Sequence, residues 1–200
     1  MGLFDKIFGR TKKTEQQTEK VEMMNPNDIW FTAPTISNEF PQLAEKIKET
    51  EFDIFIHEDD YRQNEFLNQN SLTKIEEEFI TIKDIWANHS KKSDEYTLFK
   101  NCHVRQIIGS PNLTINFNEL KSLLKCKEIG QVVINGNVLV NGFAIKTDNT
   151  TYFGLQNNDI VFELCIANWN DNTTTEILEI NKTFNTVFVN WYHYDLIKNG

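Results

Sequence analysis

A chain of 200 residues with 40% hydrophobic and 24% charged side chains can bury one core of ordinary size, and no run nears the ~18 apolar residues of a membrane span. Its formal charge of −9 disfavours nucleic acid, whose phosphates need Lys and Arg to displace their counterions. Three scattered cysteines, Cys102, Cys126 and Cys165, give neither a CxxC knuckle nor an even disulfide set, so each reads as a small buried hydrophobe.

Met1–Phe8 places Leu3, Phe4, Ile7 and Phe8 at helical spacing, with Lys6 and Arg10 off that stripe. Such a segment suits peripheral docking, and any membrane contact is expected only there. It lacks an apolar h-region and a cleavage site, so it does not read as a secretory leader, and a cytoplasmic location is the expectation. The polar stretch TKKTEQQTEKVE follows, giving a mobile segment and linker over 1–25 and a single domain over 26–200.

From Asn38, NEFPQLAEKIKET predicts a helix with Phe40, Leu43 and Ile47 on one stripe and Pro41 in its first turn. EFDIFIH predicts a strand with Phe52, Ile54 and Ile56 on one face and Asp53, Phe55 and His57 on the other. In SLTKIEEEFITIKDIWANHS, Leu72, Ile75, Phe79, Ile82 and Trp86 step by three and four, which predicts a helix capped by Ser71. The period then falls to two: EYTLFKNCHVRQII predicts one strand burying Tyr96, Leu98, Cys102 and Val104. A short helix through Leu120, Leu123 and Leu124 follows. In QVVINGNVLVNGFAIKT, the pairs Asn135-Gly136 and Asn141-Gly142 predict tight turns, since a type I′ turn needs positive φ at both central residues. TTYFGL, DIVFELCIANW, TEILEI and TVFVNWYHYDLI read as further strands. Together these predict an α+β fold, with an antiparallel sheet mostly from the C-terminal half packed with two or three helices from the N-terminal half.

No dinucleotide fingerprint, P-loop, HExxH, GxSxG or EF-hand loop occurs; no cofactor, catalytic residue or metal ligand is assigned, and the balance leans away from an enzyme. The stretch FDIFIHEDDYRQNEF, Phe52 to Phe66, concentrates the unusual side chains. One reading is a solvated loop in which Arg62 pairs with a neighbouring acid while Tyr61 and Phe66 pack on the core. A second makes Glu58, Asp59, Asp60, Tyr61 and Arg62 a contact surface for a basic protein, since Tyr and Arg anchor interfaces and clustered carboxylates speed encounter. A third makes His57, Asp59 and Asp60 a divalent-metal site of a hydrolase. VNWYHYD reads as core or sheet-edge packing rather than as a source of His193 for a Cys165–His193 pair.

Charge favours the second reading among functions. Residues 1–100 carry 13 Lys+Arg against 20 Asp+Glu, and residues 101–200 carry 7 against 9. The expectation is a non-enzymatic bacterial binding protein of adaptor or immunity type, the bacterial source being inferred from Asn, Lys and Ile abundance with only three arginines. The metal-assisted hydrolase and membrane docking through Met1–Phe8 stand as alternatives.

Overall fold

The computed structural model describes residues 29–46, 50, 52–93, 96–106 and 113–199. The segment over 1–25, including Met1–Phe8, therefore lies outside the described residues. The N-terminal half supplies β1 (Thr35–Ser37), β2 (Leu43–Ala44), β3 (Asp53–Phe55), β4 (Asn64–Asn68), α1 (Leu72–Asn88), β5 (Ser90–Lys92) and β6 (Thr97–Phe99). The C-terminal half supplies β7 (His103–Arg105), β8 (Ile115–Asn116), α2 (Phe117–Leu123), β9 (Glu128–Ile134), β10 (Asn137–Leu139) and β11 (Gly142–Lys146). It continues with β12 (Thr151–Asn157), β13 (Ile160–Ile166), α3 (Thr174–Phe184), β14 (Thr186–Asn190) and β15 (Asp195–Ile197).

The main sheet runs β15-β14-β4-β13-β12-β11-β9-β10-β2, with β8 beside β13 and β3 beside β9. Its pairs are antiparallel except β3 with β9, so the fold is α+β with a sheet drawn mostly from the C-terminal half. Among the described residues, two of the three α-helices also come from that half, unlike the expected distribution. β4 inserts between β14 and β13, which sets Phe66 opposite both Phe188 and Leu164. On that face α2 and α3 bring Leu120, Ile177 and Ile180.

The other face carries two apolar clusters. α1 packs Ile75, Phe79 and Ile82 against Leu67, Val187 and Trp191 at one end. Ile54, Tyr61, Val132, Phe153 and Cys165 form the other. Residues directly opposite share a face, so Val189, Glu65, Cys165 and Phe153 make one row across it. Glu65 stands where the two clusters meet. A carboxylate in that seam must find partners, and its partners build the candidate site.

Local chemistry explains where elements form and where the sequence misleads. β3 follows its alternation, burying Ile54 and exposing Phe55, and α1 buries its predicted stripe at Ile75, Phe79 and Ile82. Ser71 makes no side-chain cap; Asn68 instead accepts the Asn70 N–H and opens a 3-10 turn ahead of the helix. The Asn135-Gly136 turn joins β9 to β10, with φ of 50° and 78°. Asn141 also has positive φ, but β11 leaves β10 and pairs with β9 and β12.

Four expectations are corrected. Residues 38–46 form no helix: Leu43–Ala44 pairs with β10, and Ile47 lies outside the described residues. The residue before a proline is driven toward extended backbone, which removes Phe40 from a helix, and its ring is 85% exposed. TEILEI belongs to α3, where Ile177, Ile180 and Asn181 are buried at helical spacing behind an Asn170–Thr173 capping box. The strand expected over 96–105 is broken: β6 pairs with β5 and β7 lies parallel to β1. Its buried residues are Phe99 and Arg105, while Tyr96 and Val104 are exposed. Finally, WYHY is the turn between β14 and β15, with Tyr194 at φ 49°.

Gly154 marks a close approach of β12 to β13, because a Cβ there would meet the Glu163 carbonyl oxygen at 1.9 Å. Gly154→Ala is expected to cost about 1–3 kcal/mol by overpacking, measured by urea unfolding. An unchanged midpoint would show that the strands separate without penalty.

Candidate functional site

The acidic stretch leaves β3 with the Ile56 amide donating to the Val133 carbonyl at 3.0 Å. His57 then caps a 3-10 turn over Glu58–Asp60: its Nδ1 accepts the Asp59 N–H at 3.2 Å, and its carbonyl accepts the Asp60 N–H at 3.0 Å. The Tyr61 amide closes the turn onto the Glu58 carbonyl at 3.2 Å. With the backbone occupied this way, all three acidic side chains stand in solvent.

The chain next turns inward. Arg62 adopts φ 59°, the left-handed region that ordinarily costs an L-residue roughly 1–2 kcal/mol. Tyr61 and Arg62 are each only 4% exposed. Such strain persists only where surroundings hold it, and here a charge cluster does. Arg62 Nε donates to Glu65 Oε2 at 2.7 Å, and Nη1 lies against Glu39 Oε2 and 3.9 Å from Glu163 Oε1. Tyr61 donates its hydroxyl to Glu163 Oε2 at 2.8 Å, and Trp191 Nε1 donates to Glu65 Oε1 at 2.7 Å.

A second guanidinium locks the backbone. Arg105 Nη2 donates to the Arg62 carbonyl at 2.8 Å, Nη1 to Thr35 Oγ1 at 3.2 Å, and the group lies 4.8 Å from the Trp191 ring centroid. Gln63 Nε2 donates to the carbonyls of Thr35 and Asp59 at 2.7 and 2.9 Å, tying the acidic turn to β1.

Burial opposes every charge here, and the neighbours decide which groups keep theirs. Burial alone would lower Arg62, but Glu65 and Glu163 outweigh it and hold the guanidinium above its ordinary value. Burial pulls Arg105 down to about 10, which still leaves it charged at neutral pH. Burial raises Glu163 despite the opposing pull of Arg62 and the Tyr61 hydrogen bond. Tyr61 is raised by burial and then by Glu163, so it remains a neutral donor. Three glutamates thus face Arg62, whose carbonyl takes Arg105, so by formal charge these acids outnumber the two guanidinium groups by one.

The five predicted contact residues divide. Glu58, Asp59 and Asp60 are exposed; Glu58 accepts from Asn135 Nδ2 at 3.0 Å, and Asp59 lies 3.6 Å from His57 Nδ1. Tyr61 and Arg62 face inward, each 4% exposed, and Tyr61 lines the cavities beside the cluster. Arg62 pairs with Glu39, Glu65 and Glu163 rather than with an acid of the turn. Among the described residues no group of three or more His, Cys, Asp or Glu side chains is placed to hold a metal ion, His57, Asp59 and Asp60 included. Cys165 is fully buried, with burial and then Glu65 and Glu163 raising its thiol, whereas His193 stacks by Trp86 and Tyr192.

Glu39, Glu65, Glu163, Arg105 and Trp191 are the members that sequence reasoning missed. Their signal was an acid inside each apolar run, NEFLN and DIVFELCI, and two of the three arginines in a chain that otherwise uses lysine. Two cavities share Glu39, Phe40 and Tyr61 beside this cluster. One, of about 260 Å³, adds Val140, Phe162 and Glu163. The other, of about 180 Å³, adds Ile36, Pro41, Glu58 and Asp59. A third, of about 280 Å³, lies between Phe55, Asp60, Gln63 and Phe153.

No helix among the described residues is long and apolar enough to cross a membrane. Comparison with known proteins finds no matching family model, no similar curated protein and no similar solved structure.

Arg62→Met should destabilise the fold by about 3–5 kcal/mol, because it strands buried carboxylates. Trp191→Phe should cost about 1–3 kcal/mol by orphaning Glu65 Oε1. Urea unfolding of both variants checks this, and a loss below about 1 kcal/mol for Arg62→Met would remove the cluster from the stability of the domain.

Proposed function

We propose that this chain is a non-enzymatic binding protein whose acidic turn, Glu58–Asp60, engages a basic patch on a protein partner. The observation that carries the proposal is the contrast between stem and tip. The stem, Tyr61–Gln63, is buried and hydrogen-bonded, while the three carboxylates at the tip face solvent. Among the described residues, no lysine or arginine is in ion-pair contact with them. A rigid stem lowers the ordering cost of association, and like charges gathered at one place accelerate encounter with a cationic surface.

Exposed aromatic rings support the same reading. Phe40 borders the cavity that Glu58 and Asp59 line, and Phe55, 75% exposed, borders the one that Asp60 lines. Aromatic side chains are enriched at the centres of protein interfaces, and an acidic turn between two of them matches a partner with cations around apolar contacts. Adaptors and immunity-type inhibitors work in this manner, by occupying a basic functional surface.

The test is capture from native cell lysate at low salt with wild type and with Asp59→Lys/Asp60→Lys. The captured protein is then measured for association rate against both. The double variant should associate roughly tenfold or more slowly, and the difference should shrink as salt is raised. Equal rates at low salt would remove the turn as the contact site.

A further inference from the structure

We propose that the cavity between Glu39 and Glu163 is the socket for a lysine side chain of that basic partner. This rests on the reading of the acidic turn as a contact surface. Three observations lead to it.

The first is charge balance. Glu39, Glu65 and Glu163 surround Arg62, with Arg105 bonded to its carbonyl, so by formal charge these three acids outnumber the two cations by one. No lysine or arginine is among the residues lining the cavity, and the charged residues that the adjoining cavity adds are the acids Glu58 and Asp59.

The second is an unused acceptor. Glu163 is 9% exposed and lines the cavity. Its Oε2 accepts from Tyr61, but Arg62 Nη1 at 3.9 Å is beyond hydrogen-bond reach of Oε1. Glu39, also in the wall, is already ion-paired with Arg62 through its buried Oε2. The Glu163 oxygen left without a donor is costly, and an ammonium group supplies both the charge and the donor.

The third is shape. About 260 Å³ falls below the ~300–1,000 Å³ of typical small-molecule sites and suits a single long side chain. Phe40, Val140, Leu155 and Phe162 offer apolar wall for a methylene stem while the head reaches the carboxylates. Glu163 has one oxygen left, so the two-point fork of a guanidinium finds no matching pair there, whereas a three-donor ammonium needs none.

The test is an NMR titration of the full chain with Nα-acetyl-lysine amide and Nα-acetyl-arginine amide. The lysine probe should shift the amide signals of Glu39, Tyr61, Phe162 and Glu163, and bind more tightly than the arginine probe. Glu163→Gln, which keeps the Tyr61 acceptor, should weaken it about tenfold, equivalent to 1.4 kcal/mol. Val140→Phe, which narrows the socket without changing charge, should weaken it similarly. Asp59→Lys/Asp60→Lys should change it by less than about threefold, a smaller effect than one lost contact. Shifts confined to Glu58–Asp60, tighter arginine binding, or full affinity in both socket variants would each overturn the proposal. Because the acidic turn is tested by partner association in the Asp59/Asp60 variant, either idea can fail while the other stands.

Discussion

The guanidinium of Arg62 is the contact on which the arrangement of this domain turns. It faces Glu39 from the segment after β1, Glu65 from β4 and Glu163 from β13, while its own carbonyl takes Arg105 from β7. Four pieces of chain far apart in sequence are thereby fixed on one face of the sheet. Hydrophobic burial holds α1 at one end of that face and β3 at the other, but the row between them contains Glu65. Without a cation in the seam, the two apolar clusters would be joined through an uncompensated buried charge.

A buried ion pair is a weak source of stability and a strong source of specificity, since desolvation consumes much of the Coulombic gain. The cluster shows why specificity matters here. Tyr61 and Arg62 reach their partners only because the backbone reverses at Arg62, and that reversal lifts Glu58–Asp60 outward. The buried network and the exposed turn are one device: whatever fixes the stem also fixes the position of the tip. The strain at Arg62 is balanced by bonds available in this packing alone.

Sequence pattern revealed elements whose burial is simple. The alternation around Ile54, the three-and-four spacing of α1 and the Asn135-Gly136 turn each encode a local geometry directly. It failed where a second signal competed. TEILEI is short and carries three β-branched residues, which favour strands, yet the cap at Asn170–Thr173 and the spacing of Ile177 and Ile180 decide for a helix. The exposed half of the site, Glu58–Asp60, was legible from charge alone. Its buried half was not, because nothing local indicates that Arg62 takes positive φ and turns away from its acidic neighbours. Nor does spacing connect Arg62 with Glu163, which lies on a strand a hundred residues later.

By formal charge the three glutamates of the cluster outnumber its two arginines by one, and Glu163, the acid with an oxygen beyond reach of Arg62, is where the excess falls. A carbon-13 titration of the Glu163 carboxyl in the folded protein measures this directly. A midpoint above the ordinary value of 4.5 is expected, because burial outweighs Arg62 and Tyr61 there. A midpoint at or below 4.5 would mean that Arg62 already satisfies Glu163, and would contradict both the charge deficit and the open socket beside it.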